Sequence, residues 1–376
     1  MDRRAALQAL LVMAGAAAFE GCAAKHVSQS TTALAPNATP LLKLPKVKVS
    51  PDREIRTVVG LRPFRPSGFV VSTQKFDETI VVHNYGHGGG GVTLSWGTGE
   101  LACREVDVTG EKSVAVLGCG AVGLATARLL QERGCSVTLY AKDLPPNTTS
   151  NIAGAQWSPV YVFDHDRVAP GFMPRFVEAS HIANRRFQVM VGPRYGIRWL
   201  SNFLMSDEPI TGGLRSPDGP LHDLFAEMRY LDKSENPFPF PFVWQFDTMM
   251  IEPNRYLPAV MDDFHLAGGR IVVREFQAVA ELQAIPERVI VNCTGLGAKA
   301  LFGDEELTPI KGQLTVLLPQ AEIEYCTLSP DVYMFPRSDG ILLGGTHERG
   351  VWSLEPHLEA KQRILAEHAR IFQQMK

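Results

Sequence analysis

Two glycine-rich stretches contain the residues best suited to holding a ligand through the backbone: 83–100 (HNYGHGGGGVTLSWGTGE) and 114–130 (VAVLGCGAVGLATARLL). In the second stretch, Gly118, Gly120 and Gly123 have the spacing G-x-G-x-x-G. In a dinucleotide-binding loop, the first glycine permits a tight turn and the second lets the backbone approach a pyrophosphate. The third lets a helix pack closely on a strand. The spacing therefore predicts a dinucleotide site.

The residues around this loop support the prediction. Residues 113–117 form an apolar, β-branched run that is typical of a buried parallel strand. A helix is predicted from about Val122 to Arg133, with Gly134 as its stop, and a second strand over residues 136–141. In this strand–helix–strand unit, the amino terminus of the helix offers free N–H groups and a positive dipole end to phosphates.

The end of the second predicted strand leaves the identity of the dinucleotide open. An acidic residue usually binds a ribose at this point. Here Asp143 is displaced by one or two positions, and Lys142 precedes it. Two cofactors fit this pattern: FAD with a modified ribose contact, or NADP with Lys142 on its 2′-phosphate.

The downstream segments resemble the D-amino-acid oxidase family, especially its fungal members. The matching segments are YAKDLPPNTTSNIAGAQWSP (140–159), FDTMMIEPNRYLPAVMDDFHLAGGRIVVREF (246–276), VIVNCTGLGAKAL (289–301), PIKGQ (309–313), VYMFPRSDGILLGGT (332–346), GLRPFRP (60–66) and HNYGHGG (83–89). The resemblance extends from about residue 52 to the last residue given. It implies an α/β fold, with a Rossmann-type FAD-binding domain and an α+β substrate domain built on a mostly antiparallel sheet, and it implies FAD as the cofactor.

The resemblance also implies the residues that hold the FAD. Four consecutive glycines suit a backbone that lies against a flat ring, and the helix after them would point its positive end at that ring. The implied contacts to the isoalloxazine ring are Gly88, Gly90, Gly91, Val92 and Thr93. The other implied contacts are Gly118, Gly120, Val122, Gly123, Lys142, Asp143, Thr148, Thr149, Ser150, Gly154, Ala155, Gln156, Trp157, Phe276, Thr294 and Gly295.

Three residues match the substrate-binding groups of the family. Arg62 corresponds to the arginine that holds the substrate α-carboxylate, a task for which the planar guanidinium is suited. The Tyr333 hydroxyl is implied to meet the same carboxylate, and the Gly89 carbonyl to receive the amine. Ser329 stands where mammalian members of the family carry a lid tyrosine.

The implied reaction is oxidative deamination of a D-amino acid, with hydride transfer from Cα to flavin N5. The imino product is hydrolysed to a 2-oxo acid and ammonia, and dioxygen is the expected acceptor, giving hydrogen peroxide. The family uses no side-chain base, so His83 and His87 are interpreted as structural. The alternatives are oxidation of glycine, sarcosine or another small amine, electron transfer to a quinone, an NADP-dependent dehydrogenase, and a non-catalytic flavin-binding protein.

The order of the segments differs from that of the family. There, the segments similar to residues 60–66 and 83–89 close the chain, whereas here they precede the G-x-G-x-x-G loop. The sequence therefore predicts a circular permutation. Residues 107–112 are expected to be the polar connector that joins the old termini.

This order predicts a chain that alternates between two domains. The FAD-binding domain is expected over residues 83–170 and 271–308. The substrate domain is expected over residues 51–82, 171–270 and 309–376, after a signal peptide (1–22) and a flexible linker (23–50).

The amino-terminal residues resemble an export signal. Arg3 and Arg4 precede an apolar run from Ala5 to Phe19 that is too short to span a bilayer. The arginine pair resembles a twin-arginine signal. Cys22 ends a stretch similar to a lipobox, so we expect export and a lipid anchor at this cysteine, and removal of the signal without lipidation is the alternative.

The composition excludes several other classes of protein. The chain has 376 residues, of which 45% are hydrophobic and 20% charged, as in globular proteins. A net charge of -3 and the lack of a basic run give no support for a nucleic-acid partner. The six cysteines include no C-x-x-C pair, so neither a disulfide framework nor a metal site is expected.

Overall fold

The computed structural model describes residues 40–376. The predicted signal peptide, Cys22 and the linker before residue 40 lie outside this range. Within it, no helix combines the length and the apolar character needed to cross a bilayer.

The described chain contains fifteen strands and seven α-helices. The strands are β1 (Glu54–Phe64), β2 (Val70–Phe76), β3 (Thr79–Tyr85), β4 (Ser113–Leu117), β5 (Ser136–Ala141), β6 (Ile197–Ser206), β7 (Ala226–Tyr230), β8 (Phe242–Ile251), β9 (Arg270–Val273), β10 (Val289–Asn292), β11 (Thr308–Leu317), β12 (Tyr325–Leu328), β13 (Tyr333–Arg337), β14 (Gly340–Gly344) and β15 (Glu348–Arg349). The helices are α1 (Gly91–Thr109), α2 (Ala121–Glu132), α3 (Thr149–Ile152), α4 (Phe172–Val189), α5 (Pro253–Leu266), α6 (Gly297–Phe302) and α7 (Leu358–Gln374).

The first sheet is the dinucleotide-binding type that the sequence predicts. Its order is β2-β3-β10-β4-β5-β9, and all pairs are parallel except β2 with β3. The two strands β4 and β5 have the predicted bounds, and α2 lies within one residue of the predicted helix. Val114 and Val116 of β4 are fully buried, because helices cover both faces of a parallel sheet.

The second sheet has nine strands and is mostly antiparallel, as expected. Its order is β1-β11-β14-β13-β12-β6-β8-β7, with β15 also paired to β11. The pair β12–β6 is parallel. The mixed α/β architecture with one sheet of each kind agrees with the fold class predicted from the sequence.

The sheets divide the chain at other points than the predicted domain boundaries. Residues 70–82, expected in the substrate domain, pair in the parallel sheet as β2 and most of β3. In the expected substrate segment 171–270, α4 packs on α1 and α5 packs on α2, so both helices belong to the parallel sheet's layer. The boundaries differ because the chain passes from the antiparallel to the parallel sheet after β1, at Phe64, and again after β8, at Ile251.

Two predicted connections also differ from the structure. Helix α1 continues to Thr109, so the connector expected over 107–112 is reduced to residues 110–112. Residues 40–50, expected to be flexible, pack against the antiparallel sheet. Val47 is 4% exposed, and the Leu42 amide donates to the Glu235 carbonyl at 2.9 Å. The apolar residues of this segment become ordered because the folded antiparallel sheet offers them apolar side chains to pack against.

Helices α1 and α4 approach each other at a glycine. A Cβ added at Gly97 would lie 1.9 Å from the Ala179 carbonyl oxygen. The contact is with backbone, so no side-chain rotation can relieve it. Gly97 therefore sets the distance between the two helices.

We predict that Gly97→Ala will lower the free energy of unfolding by about 1–3 kcal/mol or more, since the extra methyl group overpacks the interface. Urea denaturation followed by circular dichroism measures this loss. Val108→Ala on the same helix is the control, because Val108 is 87% exposed. Equal stability of the two variants would contradict the role of Gly97.

Candidate active site

A cavity of about 1120 Å³ lies at the carboxyl ends of the parallel strands. The cavity is lined by residues at the ends of five of these strands, β3, β4, β5, β9 and β10. These are Tyr85, the last residue of β3, and the residues immediately after the other four strands: Gly118, Lys142, Arg274 and Cys293. Residues of the antiparallel sheet, including Arg62 and Tyr333, form other parts of its wall. Ligands of open α/β sheets bind at this edge.

The loop between β4 and α2 has the geometry that its three glycines predict. Gly118 has φ +101°, and a Cβ there would lie 2.5 Å from the Cys293 carbonyl oxygen. A Cβ at Gly123 would lie 1.9 Å from the Gly118 carbonyl oxygen. Gly123 thus permits packing of helix on loop and does not line the cavity, whereas Gly118, Gly120 and Val122 do.

The end of β5 places both a cation and an anion at the cavity. Lys142 and Asp143 line the wall together with Glu275, and Lys142 Nζ lies 3.3 Å from Glu275 Oε1. A 2′-phosphate beside Lys142 would also meet the Glu275 carboxylate. This arrangement weakens the NADP alternative that Lys142 suggested.

The loop after β5 brings hydroxyl groups and exposed backbone to the cavity. Its lining residues are Thr148, Thr149, Ser150, Gly154, Ala155 and Gln156. Ser150 Oγ accepts a hydrogen bond from the Ala121 amide at the start of α2, at 3.0 Å. Trp157 lies outside the cavity wall with its side chain fully buried, whereas its neighbours Gln156 and Ser158 line the wall.

The four consecutive glycines form a second backbone surface. Gly88 has φ +54°, and a Cβ there would lie 2.1 Å from the Tyr161 carbonyl oxygen. The Gly89 amide donates to that same oxygen at 2.9 Å. Gly90, an implied ring contact, is not among the residues that line the cavity, and a Cβ there would lie 2.7 Å from Val162 Cγ2.

Helix α1 begins at this surface and directs its amino terminus at the cavity. Gly91, Val92 and Thr93 line the wall. The partial positive charge of the helix terminus stabilises negative charge developing nearby. The two glycine-rich stretches therefore face one cavity, together with Phe276, Thr294 and Gly295.

Arg62 and Tyr333 meet at another part of the wall. Arg62 Nη2 lies 3.4 Å from the Tyr333 hydroxyl, and Nη1 lies 3.4 Å from the Thr346 carbonyl oxygen. Within residues 40–376, no carboxylate lies within 4.0 Å of this guanidinium. Burial raises the pKa of Tyr333, so its hydroxyl stays protonated. Arg62 is therefore available to bind an anion from solution.

Two strand glycines make room for this pair, and the sequence analysis did not identify them. A Cβ at Gly312 would lie 2.5 Å from Arg62 Nη1, and a Cβ at Gly344 would lie 2.1 Å from Tyr333 Cζ. Glycine inside a strand often marks a close approach. The glycines in the segments PIKGQ and LLGGT, Gly312 and Gly344, could therefore have indicated this close approach from the sequence.

The two histidines near the second glycine stretch are held by neighbouring side chains. His87 Nε2 lies 2.8 Å from Thr98 Oγ1, and burial lowers the pKa of His87 to about 3. His83 lies between Gln74 and Asn292, at 3.1 and 3.2 Å, and burial lowers its pKa to about 4. Both are neutral at pH 7, in agreement with a structural role.

Three further cavity residues were missed by the sequence analysis. The rings of Tyr161 and His347 lie 4.3 Å apart, and burial lowers the pKa of His347 to about 4, with Arg62 adding to the effect. Arg215 lines the same cavity from the loop between β6 and β7. These residues stand on irregular segments, where no periodic pattern points to a site.

No candidate metal cluster occurs among residues 40–376. The five cysteines in this range are free and buried. Burial raises the pKa of Cys119, beside the Gly118 turn, to about 12, so this thiol is not reactive at neutral pH. The site is therefore built from backbone, guanidinium and hydroxyl groups.

Comparison with known sequences identifies relatives over most of the chain. A D-amino-acid oxidase of Streptomyces coelicolor is 31% identical over 268 residues, which are 69% of this chain and 78% of the relative. A D-amino-acid oxidase of Rubrobacter xylanophilus is 30% identical, covering 66% and 74% of the two chains. Human D-aspartate oxidase is also 30% identical, covering 67% and 74%.

Solved structures share the fold at lower identity. Glycine oxidase from Geobacillus kaustophilus superposes with a TM-score of 0.53 at 15% identity, covering 71% of this chain and 80% of that one. The FAD-bound L-α-glycerophosphate oxidase of Mycoplasma pneumoniae gives 0.51 at 15% identity, with the same coverage. The family model for FAD-dependent oxidoreductases matches residues 113–376. The family match covers more than half of the chain, and the chain covers about three quarters of relatives that are at least 30% identical to it. The chain therefore belongs to the family of FAD-dependent oxidoreductases.

Proposed function

We propose that this protein is an FAD-dependent oxidase that deaminates D-amino acids. The observation that carries the proposal is the position of Arg62. Its guanidinium has no carboxylate partner among the described residues, and it faces the cavity that both glycine stretches line. The D-amino-acid and D-aspartate oxidases among the relatives support the same substrate class.

The described residues fit FAD. The turn at Gly118 and the amino terminus of α2 suit the pyrophosphate, and the backbone of Gly88 and Gly89 lines the same cavity, where it suits a flat ring. A cavity of about 1120 Å³ exceeds the size that a small substrate alone would need. When bound, FAD supplies the acceptor for the hydride of the substrate and returns two electrons to dioxygen.

The chain's own groups bind and orient the substrate. Arg62 and the Tyr333 hydroxyl hold the α-carboxylate, and the Gly89 carbonyl accepts a hydrogen bond from the amine. The amino acid loses a hydride from Cα and a proton from nitrogen, which leaves an imino acid. Water then yields the 2-oxo acid and ammonia. Dioxygen takes two electrons and two protons to form hydrogen peroxide. Alignment of the reacting atoms is the main contribution of the protein.

We also propose that the segment order is circularly permuted relative to the family. The supporting observations are the family match, which begins at Ser113 in β4, and the three-residue connector between α1 and β4. In addition, Tyr325 Oη lies 2.7 Å from the Pro45 carbonyl oxygen and 4.0 Å from Met375 Sδ. The two ends of the described chain therefore meet at one side chain, as a permutation requires.

Export and lipid anchoring at Cys22 are proposed from the sequence alone. Arg3, Arg4 and the apolar run before Cys22 support this localisation. We predict that Cys22→Ala, expressed in a bacterium, will move the protein from the membrane fraction to the soluble fraction. An unchanged membrane fraction, or no processing of the wild type, would contradict the anchor.

We predict that the purified protein will be yellow and will lose its flavin absorbance anaerobically with D-amino acids but not with their L enantiomers. Re-aeration should then yield one hydrogen peroxide per flavin. A protein without flavin would refute the proposal. Bleaching by glycine or sarcosine alone would favour an amine oxidase, and bleaching without peroxide would favour a dehydrogenase.

We predict that Arg62→Ala will lower kcat/KM for D-amino acids by about 30-fold or more, chiefly through KM, because the α-carboxylate loses its charged partner. Steady-state kinetics with peroxide detection measures the change. The control is Arg56→Ala on the same strand. Arg56 forms an ion pair with Asp339, and its side chain is 41% exposed. An unchanged KM would remove Arg62 from the carboxylate site.

We predict that Gly118→Ala will purify with less than about a tenth of the flavin of the wild type, because a left-handed backbone and a contact with the Cys293 carbonyl both oppose a side chain. The flavin absorbance per protein reports this loss. Gly134→Ala is the control: it also has positive φ, at +77°, but a Cβ there meets nothing within 4 Å. Equal flavin loss in both variants would indicate general backbone strain instead.

A further inference from the structure

One cation in the cavity has no partner of its own. Arg215 stands in the segment between β6 and β7, where hydrogen bonds from Ser216 to Gly213 (3.3 Å) and from Leu221 to Leu214 (3.0 Å) fold the backbone into turns. This loop brings Arg215 to the cavity wall. The loop structure therefore places a positive charge inside the site without pairing it.

The Arg215 guanidinium packs on two aromatic rings. Its Cζ lies 5.3 Å from the ring centre of Phe225 and 5.2 Å from that of Phe246. The two rings meet edge to face, with centres 5.5 Å apart. Such contacts attract a cation and fix its plane, but they accept no N–H hydrogen bond. The hydrogen-bonding capacity of the guanidinium thus remains unused.

One nitrogen of the Arg215 guanidinium is both buried and, within residues 40–376, without a hydrogen bond. Arg215 Nη1 is buried and has no hydrogen-bond partner among the described residues. Burial lowers the pKa of Arg215 to about 10, and the phenol of Tyr161 is the single group that acts against this shift. The guanidinium is therefore still charged at pH 7. A partly buried charge without a partner is costly, which favours a site completed by an anion from outside.

Arg215 and Arg62 both have Tyr161 in their surroundings. The Tyr161 phenol influences the pKa of both Arg215 and Tyr333, and Tyr333 touches Arg62. The Tyr161 ring also packs on His347, whose pKa is lowered in part by Arg62. Both guanidinium groups therefore line one cavity and have Tyr161 in their surroundings.

The cavity wall also contains leucine side chains. Leu214 precedes it in the chain, and Leu204 and Leu328, which pair across β6 and β12, also line the cavity. Leucine side chains offer nothing to a second negative charge. Arg215, which also lines the cavity, could compensate one.

We propose that Arg215 binds the side-chain carboxylate of the substrate, so that acidic D-amino acids are the preferred class. The inference rests on the proposed function, in which Arg62 and Tyr333 hold the α-carboxylate of the same molecule. Arg215 then determines specificity and takes no part in the chemical step. Leaving a buried guanidinium unpaired penalises a neutral side chain of the same shape.

The first test uses the wild-type enzyme. We expect kcat/KM to be about 30-fold or more higher for D-aspartate than for D-asparagine, or for D-glutamate than for D-glutamine, because each pair differs in charge and hardly in shape. Comparable values within both pairs would overturn the proposal. No variant has to fold for this measurement.

The second test replaces the guanidinium. Arg215→Met should lower kcat/KM for the preferred acidic substrate about 30-fold or more while leaving that for D-methionine unchanged or raised. Equal losses for all substrates would assign Arg215 a structural role and overturn the proposal. Arg185→Met on α4 is the control, since Arg185 is exposed and outside the cavity. Flavin content and circular dichroism verify that each variant is folded.

A binding measurement separates this inference from the proposed function. Succinate and butyrate have the same carbon chain, and each should perturb the absorbance of the bound flavin when it occupies the site. We expect tighter binding of succinate in the wild type and a loss of that preference in Arg215→Met. Equal binding of the two acids would overturn the inference. If no D-amino acid reduces the flavin, the proposed function fails, and this measurement still decides the role of Arg215.

Discussion

The antiparallel pairing of β1 with β11 is the constraint on which the candidate site depends. It sets Gly60 opposite Gly312 and Arg62 opposite Ile310. In this register the Arg62 guanidinium lies over Gly312, where no Cβ is present. A slip by one residue would turn Arg62 to the other face of the sheet. Pairing of residues far apart in the chain therefore determines whether the Arg62 guanidinium reaches the cavity.

A second constraint ties this sheet to the parallel one. Immediately after β1, Arg65 pairs with Asp304 at 2.8 Å and with Glu306 at 2.7 Å, and the Tyr85 hydroxyl donates to Asp304 at 2.8 Å. Burial acts to raise the pKa of Asp304, but the hydrogen bonds from Tyr85 and Arg65 outweigh it and keep that pKa below its ordinary value. The network connects the ends of β1 and β3 to the segment after α6. It holds the Arg62 strand beside the second glycine stretch.

Prediction from the sequence succeeded where local rules are strong. The bounds of β4 and β5 and the role of Gly123 follow from hydrophobic pattern and glycine spacing, because a strand buried on both faces and a tight phosphate turn leave little choice of residues. The prediction failed where contacts with residues distant in the chain determine the local structure. Residues 40–50 are unremarkable by composition, yet Val47 is buried, and residues 70–82 joined the parallel sheet rather than the antiparallel one.

The sequence by itself determined the dinucleotide loop, the second glycine surface and, through the resemblance, the identities of Arg62 and Tyr333. These rest on residue types and short spacings, which the chain carries in any conformation. The tertiary structure alone decided that Lys142 is matched by Glu275 and that Gly312 and Gly344 make room for the side chains of Arg62 and Tyr333. It also decided that Arg215 reaches the cavity with its Nη1 unpaired among the described residues. The physical reason is the same in each case: whether a charge is paired, or a Cβ excluded, depends on groups brought together from distant parts of the chain.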